Sequence, residues 1–329
     1  MKFILGLFSF SYLLLIGIAI AVIGVVFLFK MPGPLTESQD IQIKRGQGVR
    51  EIAQMLQDEN IIINAYPFMA GAKLKNGGKP LQAGEFNIPA GYSMANILDV
   101  FQLGKTIQRK FTIPEGKTSW EIVQTLNHNE LLEGDISSIP PEGSLMPDTY
   151  FFAKGDTRME KIARMQSAMA EFIEQQDKSL LSGLPLKTME EVMILASIVE
   201  KETSVPSEYA KVAGVFINRL NKGMPLQTDP TVIYGITMGK HKNDGKGPLG
   251  RRLLTKDLRK DTPHNTYTRT GLPPTPICNP GRAATLAVLK PAKHDYLYFV
   301  ADGSGGHAFG KTLSQHNANV AKWRKMRRK

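Results

Sequence analysis

The chain has 329 residues, 42% apolar and 22% charged, with a formal charge of +11. That length accommodates a membrane anchor and about two soluble domains, and the composition excludes a disordered or fibrous chain. A single cysteine, Cys278, excludes an internal disulfide framework, and six scattered histidines without HExxH or paired Cys/His spacing argue against a metal enzyme. Neither a metal site nor a cofactor is expected.

Residues 3–29 contain no charge and exceed the roughly 20 residues a helix needs to cross a bilayer. Lys2 and Lys30 bracket them. A secretory signal has a shorter apolar stretch and a small-residue cleavage site. Ala19-Ile20-Ala21 resembles such a site, but apolar sequence runs past it, so residues 1–30 read as an uncleaved transmembrane anchor. Charge counting leaves the orientation open, because Lys2 and Lys30 compete. Residues 31–40, with two prolines and a glycine, read as a linker.

A pattern then recurs three times. Ile43 precedes Gly46 by three residues, and Ile52 follows six after the glycine. Ile88, Gly91 and Ile97 repeat the spacing, as do Ile113, Gly116 and Ile122. Each unit predicts a strand, a tight glycine turn and an amphipathic helix. Strands are expected at 41–44 and 84–88, with helices at 49–57 and 65–74 between them. Residues 106–141 read as a connecting βα module, closed by Pro140-Pro141 and Gly143. Helical patterns follow at 158–176, 188–203 and 207–222, with Gly223 as a helix stop. Residues 235–280 read as irregular, 282–289 as a helix and 296–301 as a strand. The fold class is α+β.

In 188–203, Thr188 and Glu191 form a capping box, and Val192, Leu195, Ala196 and Val199 make an apolar stripe. Glu200 stands in the last turn. Partial burial and the negative end of the helix dipole both favour its protonated form, which suits proton donation to a glycosidic oxygen. The plain alternative is a surface glutamate paired with a lysine. Gln227, Asp229, Asn265, Tyr267 and Asn279 fall in segments read as irregular. Singly they are turn formers; together they suggest a carbohydrate cleft in which they bind substrate. Glu202 lies roughly 200° around the helix from Glu200, so the two do not share a site.

Residues 303–306 (GSGG) lack the rest of a phosphate loop and read as a turn, with His307 a core or loop residue. No G-x-S-x-G elbow is present. Six of the positive charges lie in 322–329 (KWRKMRRK). They make either a solvated terminus or a contact with anionic lipid or an acidic polymer. No nucleic-acid motif accompanies them.

The segment ASIVEKET at 196–203 resembles the signature helix of the YceG-like (MltG) endolytic murein transglycosylases. VFINRL (215–220), GMPLQTDPTV (223–232), NTY (265–267), GLPPTPICNPG (271–281) and YLYFVADG (296–303) are similar to the same family, in the same order. So are LMPDTYF (145–151), HAF (307–309) and HN (316–317). One departure is His264, where the family pattern has tyrosine. The resemblance implies cleavage of the β-1,4 bond between N-acetylmuramic acid and N-acetylglucosamine without water. The glutamate matched by Glu200 first protonates the leaving oxygen. It then acts as base on the muramyl 6-hydroxyl, leaving a 1,6-anhydro end. Most glycosidases use two carboxylates; here the substrate's acetamido group helps one suffice. The one-carboxylate chemistry that the resemblance implies makes Glu202 and Asp229 secondary candidates, and Asp229 either orients substrate or buttresses its loop. The resemblance also implies cuts in nascent glycan strands that end polymerisation, on the periplasmic or outer face, alongside penicillin-binding proteins or other wall-synthesis proteins. Residues 41–105 resemble a LysM-like βααβ module, 142–318 the catalytic domain, and 319–329 form the basic tail. A non-catalytic glycan-binding scaffold and a hydrolytic muramidase are the alternatives.

Overall fold

The computed structural model describes residues 2–77, 79–240 and 248–326, with side chains from residue 12 onward except at Asn76. The chain forms two compact units, Met1–Arg109 with Phe151–Asp156, and Lys110–Tyr150 with Thr157–Lys329.

The first unit begins with helix α1 (Lys2–Lys30), long and apolar enough to cross a membrane. Strand β1 (Gln39–Ile43) follows, then helices α2 (Val49–Asp58) and α3 (Ala65–Asn76). Strand β2 (Gly84–Ile88) pairs antiparallel with β1, placing Ile41 opposite Phe86, and helix α4 (Met94–Leu103) closes the unit. Alternation in the strands turns Ile41, Ile43, Phe86 and Ile88 inward. Ile52, Leu56, Phe68, Ile97 and Phe101 meet them from the helices, and the Phe101 ring stands edge-on to Phe68 and Phe86. The end of α1 joins this core. Phe29 fills the space over Gly71, where a Cβ would lie 2.2 Å from its ring.

Strand β3 (Arg109–Thr112) and helix α5 (Ser119–Asn127) are the third copy of the repeat, and β3 pairs with β4 (Thr149–Phe152). The glycine spacing has a single cause in all three copies. Gly46, Gly91 and Gly116 have φ of 81°, 70° and 76°, a left-handed turn that residues with a Cβ rarely adopt. The turn aims the chain into a helix whose next isoleucine, Ile52, Ile97 or Ile122, is wholly buried.

The rest of the second unit comprises α6 (Arg158–Glu174), α7 (Met189–Glu202), α8 (Tyr209–Asn221), α9 (Asp229–Thr237), α10 (Arg282–Leu289), β5 (Tyr298–Ala301), β6 (His307–Gly310) and α11 (Leu313–Met326). Helix α7 is the spine. Every residue from Val192 to Val199 is buried, packed among α8, α9 and α10. A helix apolar on all sides belongs inside a core. Gly214 of α8 lets the chain at Ala292 approach, because a Cβ there would lie 2.5 Å from the Ala292 carbonyl.

Four features differ from the sequence expectations. At the start of α7 the Thr188 hydroxyl accepts the Glu191 N–H, but the Glu191 carboxylate takes the Lys187 N–H, so only half the capping box forms. Helix α9 arises where a loop was read, so Asp229 begins a helix, with proline in its first turn, where the missing N–H costs nothing. The turn at 303–306 leads into β6, which pairs antiparallel with β5 and starts at His307. The basic segment is helical as far as Met326; residues 327–329 lie outside the described residues, as do 241–247 of the segment read as irregular.

Candidate active site

Glu200 ends up in a junction. The Tyr209 hydroxyl donates to its Oε1 at 3.0 Å, and the Gly281 N–H donates to Oε2 at 2.9 Å. Gly281 is the N-cap of α10, so the carboxyl satisfies an otherwise unpaired N–H at the positive end of that helix. Glu115 stands close by, its carboxyl raised above the usual range by burial and by Glu200. Lys201 reaches back to the Gly116 carbonyl at 3.2 Å. Both oxygens of Glu200 thus have a protein donor, and the residue ties α7, α8, α10 and the third glycine turn together.

Two residues on, Glu202 opens onto a cleft of about 490 Å³. Gln227, Asp229 and Tyr267 line it, so three of the five residues expected to bind substrate gather around this glutamate. Their placement has a local cause. Gln227 adopts φ 51°, an uncommon conformation for a residue with a Cβ, of the kind that recurs at functional sites. The turn is braced by Thr266, whose carbonyl accepts the Gln227 N–H and whose hydroxyl meets Thr228 N–H at 3.0 Å and Thr231 at 2.8 Å. The Tyr267 hydroxyl donates to Asp229 Oδ1 at 2.7 Å. Across the cleft, the Arg219 guanidinium donates to the carbonyls of Leu297 and Leu226 and lies 5.3 Å from the Tyr298 ring centre.

Burial pushes the Glu202 carboxyl up to about 7. The Thr228 hydroxyl works against that shift, Asp229 adds to it and Arg219 opposes it. A carboxyl that changes charge near neutral pH can both give and take a proton there. The cleft also presents aromatic faces at Tyr267 and Tyr298, with amide and carboxylate groups beside them, a lining of the kind that suits a sugar ring.

Asn265 and Asn279 are wholly buried. The Asn265 amide donates to the carbonyls of Leu258 and Lys260, and its oxygen accepts the Tyr267 N–H at 2.8 Å. It shapes the loop that presents Tyr267. Asn279 accepts the Leu145 N–H at 2.9 Å and donates to the Lys117 carbonyl. Both amides are bonded by protein groups, and neither lines the Glu202 cleft. His264, the departure from the family pattern, lies in a different cavity of about 770 Å³, beside Tyr234 and Glu142. Among the described residues no cluster of His, Cys, Asp and Glu is arranged to hold a metal ion.

The sequence offers Glu202 as a secondary candidate only, and does not mark Arg219, Tyr298 or His307 as cleft residues. The available signal was the 200° phase between Glu200 and Glu202, which puts the two on different faces of α7. Which face opens depends on α9 and the β5–β6 hairpin, elements only partly legible in the sequence.

The profile of the YceG-like family matches residues 41–322. A Bacillus subtilis (strain 168) protein named endolytic murein transglycosylase is 32% identical over 316 residues, covering 86% of this chain and 84% of that one. A Streptococcus pneumoniae protein of the same name is 30% identical over 337 residues, and the match covers 85% of this chain but 57% of the longer relative. A crystal structure of a protein described as yceG-like, from Listeria monocytogenes, aligns with a TM-score of 0.51 at 31% identity, over 86% of this chain and 99% of that one. With a profile match over most of its length and a relative this similar, the chain belongs to the YceG-like family.

Proposed function

We propose that this chain is a membrane-anchored endolytic murein transglycosylase whose proton donor is Glu202. The relatives that match along most of the chain carry that activity in their names, which supports the reaction class. The observation that carries the residue assignment is the Glu202 cleft: a carboxyl titrating at about 7, with Gln227, Asp229 and Tyr267 around it. Glu200, the sequence candidate, has both oxygens engaged at a helix junction. In this reading Glu202 protonates the oxygen leaving the muramyl anomeric carbon, and the 6-hydroxyl of the same sugar closes the anhydro ring.

Further parts of the reading follow. The β1–α2–α3–β2 arrangement supports a LysM-like module over residues 41–105 that holds glycan. Residues 142–318 carry the chemistry. The apolar α1 supports attachment to the cell membrane, with the bulk of the chain on the periplasmic or outer face. Penicillin-binding proteins are the expected neighbours, and the basic end of the chain is expected to touch anionic lipid.

The test is mass spectrometry of peptidoglycan digests. Wild type and Glu200→Gln should both release anhydromuramyl ends, and Glu202→Gln should lose at least about 100-fold in rate. Because the acid must carry its proton, the rate should fall as pH rises through about 7. Undiminished release by Glu202→Gln, with Glu200→Gln folded but inactive, returns the role to Glu200.

A further inference from the structure

Helix α3 is apolar on two faces. Ala65, Phe68 and Ala72 enter the core of the first unit, while Tyr66, Ala70 and Leu74, spaced four apart, form a second row on the outside. Tyr66 is 76% exposed and Leu74 87%. On α4, Leu103 is 83% exposed and stands one turn beyond Asp99, whose carboxylate accepts from Lys75 of α3, which places both leucines near that ion pair. Helix α2 of the same unit is different. Its exposed positions, Arg50, Glu51, Gln54 and Asp58, are polar, as a surface facing water is. Single exposed leucines are ordinary on a soluble surface; an outward apolar row beside a helix of membrane length is not.

The row lies beside the end of α1. Helix α1 packs on α3 and α4, and Phe29 fills the space over Gly71, one turn before Leu74. Past α1 the chain stays bound to the unit: the Gly33 N–H donates to the Tyr92 carbonyl at 3.2 Å, and the Gly91 N–H donates to the Leu35 carbonyl at 2.8 Å. The first unit is thus fixed to α1 rather than tethered to it. As a helix, residues 3–29 rise about 40 Å, against a hydrocarbon core of about 30 Å. When α1 spans a bilayer, its end and the α3 face beside it therefore come to the headgroup layer. Lys30, Lys73, Lys75 and Lys105 border that face in the chain, and the single acid of α4, Asp99, is paired. Lysine stems lie over apolar surface while their ammonium groups meet lipid phosphates. We propose that the outer face of α3, with Leu103 of α4, is a membrane-docking surface that seats the first unit in the headgroup layer of an anionic bilayer. This rests on the reading that α1 crosses the membrane. Leu74, Leu103 and the Tyr66 ring enter the boundary between headgroups and acyl chains. The face is too small to hold the chain at a membrane without α1; it sets the height and tilt of the first unit against the bilayer.

The experiment uses the full chain in nanodiscs of phosphatidylcholine mixed with anionic phosphatidylglycerol. Cys278 is wholly buried, so a nitroxide attaches to the one introduced cysteine in each of Leu74→Cys, Leu103→Cys, Glu51→Cys and Ile20→Cys. Power saturation compares collisions with oxygen, which concentrates in lipid, and with a nickel chelate, which stays in water. The oxygen-to-nickel ratio at positions 74 and 103 should exceed that at position 51 on α2 by at least about fivefold, with the highest ratio at position 20 inside the span. Thermal unfolding checks each labelled protein; should Leu74→Cys fail to fold, Leu103→Cys decides. A ratio at 74 equal to that at 51, with position 20 in lipid, overturns the proposal and leaves α1 as the anchor. A label at 74 shielded from both reagents overturns it too, because a second copy or another protein then covers the face. Nickel access at position 20 removes the membrane reading of α1 instead.

Discussion

A carboxyl held near neutrality has a thermodynamic signature as well as a catalytic one. The Glu202 carboxyl titrates at about 7 in the folded chain against an ordinary 4.5, so its ionised form is the one that folding disfavours. Below about pH 4.5 the group is protonated folded or unfolded and costs nothing. The cost grows as pH rises from there and is complete above about 7, where it is on the order of 3 kcal/mol. Glu202→Gln should therefore raise the thermal midpoint at pH 8, with the gain shrinking toward pH 4, while activity is lost. A gain that does not change with pH would mean that Glu202 is solvated like any surface acid. The two glutamates of the signature helix differ in setting: a Glu200 oxygen accepts the Gly281 N–H at the start of α10, so Glu200→Gln disturbs that cap. Nothing in the ASIVEKET segment distinguishes the two side chains. Their burial and partners come from α8, α10 and the loops, which the segment itself does not encode, so the phase between the two was legible in the sequence and their surroundings were not.

At the scale of elements, local pattern was legible wherever one short stretch carried its own physical cause. The three strand–glycine–helix units were visible because a left-handed turn needs glycine and a buried helix face needs apolar residues at fixed spacing. Helix α7 was visible from its cap and its stripe. Strand β4 was not expected, and three further elements were missed for identifiable reasons. Helix α9 begins with Asp229-Pro230, residues that also make turns; β6 is four residues long; and α11 has no buried residue, so no apolar stripe marks it. Gly214 shows how packing overrides local preference. In a helix interior, replacing glycine by alanine gains about 1 kcal/mol. Here the added Cβ would meet the Ala292 carbonyl at 2.5 Å and His294 at 2.7 Å, and backbone does not yield cheaply. Overpacking costs about 1–3 kcal/mol, so Gly214→Ala should lower stability on balance. Urea unfolding measures the sign; a stabilised variant would mean that the chain near Ala292 moves freely away from α8. Gly46→Ala is the opposite case. Its surroundings are open and only the left-handed φ resists, so the loss should be about 1–2 kcal/mol.

At the scale of the whole chain, the apolar helix α1 is long enough to cross a membrane, and its last turns also belong to a folded core. Residues 12–27 of α1 are exposed, as a membrane-spanning surface would be, whereas Phe29 packs on α3 over Gly71 and joins the core of Ile52, Phe68 and Phe101. Two truncations therefore differ in kind. Removing residues 2–25 deletes the apolar span and keeps Phe29. Removing residues 2–30 also uncovers the core face, at a cost of about 1.5–3 kcal/mol for an aromatic side chain of this size. Both proteins should leave the membrane fraction for the soluble one, where the full chain does not. The shorter should unfold at lower temperature, with the loss confined to the transition of the first unit. Activity on isolated peptidoglycan should survive in both, because the Glu202 cleft is built from residues of the second unit alone. Equal stability of the two truncations would reduce the Phe29 contact to an incidental one. Loss of activity in the shorter form, with its second unit intact by unfolding, would show instead that the first unit takes part in holding the glycan for the cut.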